Sequence, residues 1–107
     1  MQYTTIPSFI LTALQQCAAA GVVPSVREGQ GGNSHSVWFI KFAIRVDRDG
    51  HMSKYYYFEV KVTSSYSQQF LDFTPFSGGK DFDGLTNRRS MAECLMLAQA
   101  NVEALSA

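Results

Sequence analysis

The sequence predicts an α+β domain in the order α-β-β-β-(irregular insertion)-α, a three-stranded antiparallel sheet with two helices packed on one face. Three observations lead there. Apolar residues recur at helical spacing near both ends of the chain, over residues 6–20 and 87–105. Between them, residues 36–63 alternate in the manner of two strands joined by a turn. With 107 residues, 46% of them hydrophobic, the chain can bury one respectable core but not two, so residues 1–107 form a single domain.

The first helix presents Ile6, Phe9, Ile10, Ala13, Leu14, Cys17 and Ala20 on one side. Thr5 or Ile6 lies near its cap, Pro7 in its first turn, and Gly21 stops it. Its other side, Ser8, Thr12, Gln15, Gln16 and Ala19, carries no charge, which suits either plain surface or a helix seated in an interface. Arg27 is the first charged side chain of the chain. The segment before it lacks the basic start of a signal peptide, and Pro7 and Gln15-Gln16 interrupt its apolar run, so mature structure is expected there. No stretch approaches the ~20 apolar residues of a membrane span.

Val22 to Glu28 contains Pro24 and reads as a short edge strand. Residues 29–34, Gly-Gln-Gly-Gly-Asn-Ser, form a flexible loop by composition. The hairpin follows. Trp38, Ile40, Phe42, Ile44 and Val46 make one apolar row, and Tyr56, Phe58, Val60 and Val62 another. A three-residue loop, Arg48-Asp49-Gly50 with Gly50 left-handed, brings the two rows to the same face and pairs Phe42 with Tyr56 and Ile40 with Phe58. Val37, Phe39, Lys41, Ala43 and Arg45 are then left on the second face with Ser53, Tyr55, Tyr57, Glu59 and Lys61.

Residues 64–86 show no clear period and are too long for an idle connection, so the region is either a functional loop or holds irregular extra strands. Its rings, Tyr66, Phe70, Phe73, Phe76 and Phe82, either fold back over the edge of the core or meet a partner. The last helix buries Met91, Leu95, Ala98, Val102 and Leu105, widened by Cys94 and Leu97. Ser90 to Glu93 matches a capping box, with Thr86 or Asn87 as earlier caps.

Signatures of chemistry are sparse. His35 precedes the hairpin and His51 sits at its tip, about 40 Å away at ~3.3 Å per residue, so they form no common site. Asp81-Phe82-Asp83-Gly84 lacks the remaining ligands of a calcium loop, and Gly78-Gly79-Lys80 lacks the frame of a phosphate loop. Cys17 and Cys94 have neither zinc nor redox spacing and read as buried free thiols of a reducing, cytoplasmic setting. No enzyme activity, metal, cofactor, membrane or small-molecule substrate is expected.

Two basic clusters remain. Lys41, Arg45 and Lys61 stand among Phe39, Tyr55 and Tyr57 on the second sheet face, with Phe76 and Lys80 in the adjoining loop. Such a surface suits a protein partner or self-association, because Tyr and Arg are enriched in interfaces, and it also suits single-stranded nucleic acid through stacking and phosphate contacts. Arg88-Arg89 at the start of the last helix favours a phosphate. Nine basic residues balance nine acidic ones, which removes the overall positive field expected of many nucleic-acid binders.

The element order, Gly32-Asn33-Ser34-His35 between the first two strands, and Asn87-Arg88-Arg89 opening the final helix resemble a double-stranded RNA-binding domain. That resemblance implies His35 in one minor groove, Arg88 and Arg89 on phosphates, and Gln15 and Gln16 of the first helix facing RNA, with residues 64–86 as an insertion. Ala92 stands where that family has its third basic residue. In type rather than motif, a compact chain with an aromatic surface and no chemistry is similar to phage- or plasmid-borne inhibitors such as anti-CRISPR proteins. The leading expectation is therefore a non-catalytic interaction protein, with RNA binding as the alternative.

Overall fold

Alternating apolar residues specify two long strands, β2 (His35–Val46) and β3 (Lys54–Ser65), that pair antiparallel along their whole length. A computed structural model describes residues 6–32, 35–47, 50, 52–65, 70–77, 80–81 and 90–106, with residues 70, 77, 80, 81, 105 and 106 described in backbone only. β1 (Ser25–Glu28) pairs with the outer side of β2, while β4 (Phe70–Ser77) continues from β3 and the two-residue β5 (Lys80–Asp81) from β4. All neighbours run antiparallel, in the order β1-β2-β3-β4-β5. The α+β class and the antiparallel sheet stand as expected, but four strands and a short fifth replace the expected three.

The extra strands come from the stretch read as an irregular insertion. β4 escapes period-two patterning because Thr74-Pro75-Phe76 inverts the usual polarity: Pro75 and Phe73 face the core while Phe76 does not. Proline is tolerated there because β4 lies toward the sheet margin, where among the described residues β5 pairs only with Phe76 and Ser77 and leaves Pro75 without a strand on its outer side. Of the rings in 64–86, Phe73 enters the core and Phe76 is half-buried, whereas Tyr66 and Phe82 lie outside the described residues.

The hairpin also differs from expectation in one respect. Both apolar rows share a face, but Phe42 pairs with Phe58 and Ile40 with Val60, a shift of two residues from the expected register. The strands close at Val46 and Lys54, so residues 47–53 connect them in place of a three-residue loop. A shift of two preserves every side chain's face, so alternation cannot choose between these registers. Cross-strand chemistry can. The observed pairing stacks Phe42 on Phe58, with centroids 5.7 Å apart, and sets Lys41 opposite Glu59. At the base of the loop the Asp47 carboxylate accepts from Arg45 Nε at 2.8 Å and from the Ser53 hydroxyl. Gly50 takes the expected positive φ of 73°.

Helix α1 (Ser8–Ala19) starts two residues later than the expected span of residues 6–20, with Pro7 at its N-cap rather than in its first turn. Its end is a Schellman motif. Gly21 has φ 74° and donates to Ala18 O, while Val22 donates to Cys17 O. In α2 (Met91–Ser106) Ser90 is the cap, its Oγ accepting the Glu93 N–H at 3.2 Å. Both helices cover the same sheet face. Ile10, Ala13 and Cys17 of α1 and Met91, Cys94, Leu95, Ala98 and Val102 of α2 join Trp38, Ile40, Phe42, Phe58, Val60 and Val62 in one buried cluster. Cys17 and Cys94 are buried and not joined in a disulfide, and burial pushes the Cys17 thiol up to about 11. No helix among the described residues is long and apolar enough to cross a membrane.

Candidate interaction face

With both helices on one side, the other side of the sheet is open among the described residues, and its two ends differ. Each position follows from parity: odd residues of β1, β2 and β3 and even residues of β4 point to this face.

The end built on β1 closes over itself. The register sets Arg27 opposite Phe39, and the Arg27 guanidinium lies 3.9 Å from the centre of the Phe39 ring. Arg27 also approaches Glu59 at 3.7 Å across the face. Beneath the ring, Gly29 donates its N–H to Val37 O, and a Cβ on Gly29 would stand 2.5 Å from Phe39 Cε2. The missing side chain leaves room for the edge of the ring. Val37 is buried and Phe39 half-buried as a result.

The other end is open. Tyr55 and Tyr57 are 50% and 61% exposed, opposite Arg45 and Ala43 respectively. Lys41 Nζ lies 5.8 Å from the Tyr57 ring centre. Arg45 is held by Asp47, which keeps its guanidinium firmly charged, while the Ser53 hydroxyl and Arg45 hold the Asp47 carboxyl below its usual range. The side chains that could meet a partner here are two exposed rings with the cations of Lys41 and Arg45 beside them.

The structure thus sorts the residues expected at this site. Lys41, Arg45, Tyr55 and Tyr57 come together at the open end. Lys61 is exposed between Phe39 and Thr74, and Phe76 lies opposite Glu59, both nearer the closed end. Lys80 is placed in backbone opposite Ser77. Of the residues tied to RNA, Gln15 is exposed, Gln16 is half-buried with its Oε1 accepting the Ala92 N–H at 3.0 Å, and His35 is half-buried at the start of β2. Arg88 and Arg89 lie outside the described residues. Arg27 was missed by sequence reasoning. Nothing in the sequence fixes the register of β1, so its parity with Phe39 is not legible there. Among the described residues no group of three or more His, Cys, Asp or Glu could hold a metal ion.

No protein family, curated protein or solved structure matches the chain.

What the chain does therefore rests on this geometry alone. Its order of elements agrees with that of a double-stranded RNA-binding domain only in general shape, since the sheet has strands beyond the third.

Proposed function

We propose that the chain is a non-catalytic interaction domain that binds a protein partner through the open end of its sheet face. One observation carries the reading. Tyr55 and Tyr57 stand exposed on a paired central strand, flanked by Lys41 and Arg45, where rings on a rigid platform bury area at little entropic cost. The adjoining β4, with Phe76 toward this face, extends the surface at its other end. A small, charge-balanced domain with such a patch is of the type used by phage- or plasmid-borne inhibitors, anti-CRISPR proteins among them. That class is the context in which a partner is best sought.

The test is a capture from the native host with the chain and with a Tyr55→Ala, Tyr57→Ala variant. The partner should be a protein, retained by the unsubstituted chain and lost by the variant, with circular dichroism unchanged. Unfolding of the variant would show the rings to be structural. A nucleic acid lost instead on Arg88→Glu with Arg89→Glu, and released steeply by salt, would favour the RNA reading.

A further inference from the structure

β2 is twelve residues long, but β1 pairs only with its Trp38–Lys41 stretch. One side of Phe42–Val46 therefore has no strand beside it among the described residues. Which backbone groups face that side follows from one hydrogen bond. Gly29 N–H to Val37 O, at 2.8 Å, makes the odd residues of β2 those whose N–H and C=O point toward β1. The β2–β3 register runs unbroken from His35 to Val46, so no bulge changes this alternation. Ala43 and Arg45 aim their backbone groups where a longer β1 would have lain.

That place is a cleft. The link from α1 to β1, Ala20–Val23, forms its outer wall, and Ala43, Arg45 and Tyr55 its inner one, around a hollow of about 420 Å³. Toward the open face it continues between Val23 and Tyr57 for about 360 Å³. Toward the helices it continues between Ile44 and Met96 for about 450 Å³. Val23 is 88% exposed and Met96 72%. Large apolar side chains thus rim an edge whose outward amides have no strand beside them among the described residues.

We propose that this cleft takes an extended segment of a partner protein, with alternating apolar and acidic side chains, which adds a strand to β2 at Ala43 and Arg45. It deepens the interaction-domain reading and rests on it. The alternation follows from the two sides of the cleft. A side chain turned toward the helices meets Ile44 and Met96, so that row is apolar. A side chain turned the other way meets Lys41, Arg45 and the two tyrosines. Lys41 makes no ion pair among the described residues, because Glu59 across from it reaches Arg27 instead. An acidic row supplies the missing charge. A second copy of the chain fits less well: its sheet, several strands wide, would meet the Ala20–Val23 wall, whereas a single extended segment asks for far less room.

The probe is a blocked peptide of alternating valine and glutamate, titrated into the isotope-labelled full chain and read by amide hydrogen exchange. In the free chain the Ala43 and Arg45 amides should exchange fast while Phe42 and Ile44 are slow. The peptide should slow Ala43 and Arg45 by about tenfold or more. Methylating alternate peptide amides, or replacing its glutamates by lysine, should abolish the effect. Ala43→Pro removes an outward N–H at an edge position of the kind that accepts proline, so it should keep the folded spectrum and lose the peptide; exchange in the unsubstituted chain carries the test on its own if that variant unfolds.

The proposal is overturned by slow exchange of Ala43 and Arg45 in the free chain, by no binding at about 1 mM peptide, or by binding that leaves those amides unprotected. Protection that grows with protein concentration alone, with a doubled mass, would make a second copy the occupant and overturn it too. Its failure separates from that of the wider reading. A captured partner kept by Ala43→Pro and lost by Tyr55→Ala, Tyr57→Ala sinks the cleft alone, whereas a partner kept by both sinks both.

Discussion

Gly29 shows how one absent side chain sets a surface. Its bare Cα lies under Phe39, Phe39 lies under Arg27, and the three together close one end of the open face. Gly29→Ala should cost about 1–2 kcal/mol, because the new methyl pushes the ring out from under the guanidinium. In a Phe39→Ala background the same change should cost much less, and chemical denaturation of the double-mutant cycle would measure that coupling. Cys17 offers a second residue-scale expectation. Its thiol is raised from 9.0 to about 11 in the folded chain, so the unfolded chain loses its proton first as pH rises. The contribution is fully present below pH 9.0 and is lost as pH climbs toward about 11. Urea midpoints across that range should fall, a Cys17→Ala variant should fall less, and a thiol reagent should label Cys17 only on unfolding.

Among the elements, α1 depends most on its end. Gly21 holds a positive φ that lets two carbonyls of the last turn be satisfied, so Gly21→Ala should lower stability by about 1 kcal/mol while Gly21→Asn loses less, both read from thermal midpoints. This stop was legible in the sequence, as were both helices, the faces of the hairpin and the left-handed Gly50. Each depends on neighbours in sequence or on period alone. The register of β2 on β3 was not legible, because two registers shared the same faces and the Phe42–Phe58 stack and the Asp47 loop base decided between them. β4 was hidden for a related reason. Pro75 on the core side and Phe76 on the other broke the pattern that would have announced a strand. The tyrosines of the candidate site were found by parity, whereas Arg27 needed a strand pairing that only the fold provides.

For the whole molecule, nine positive and nine negative side chains leave no net field to draw a partner in. A partner held by Tyr55, Tyr57 and a paired β2 edge should therefore bind with modest salt dependence. Raising salt from 50 to 200 mM should change its affinity by less than about tenfold, against the thousandfold or more expected of a protein making many phosphate contacts. Calorimetry in the two buffers separates the cases.

The side-chain amide of Gln16 reaches across to the backbone of Ala92, 76 positions later, and the cores of α1 and α2 meet in the same cluster. During synthesis the first helix therefore leaves the ribosome long before its mate exists. The side of Ile10, Ala13 and Cys17 that α2 covers stays open until Met91–Ser106 has emerged, so the two-helix layer closes only once α2 is made. A nascent chain stalled before Met91 should remain open to protease, and one extended beyond Ser106 should close as a single event.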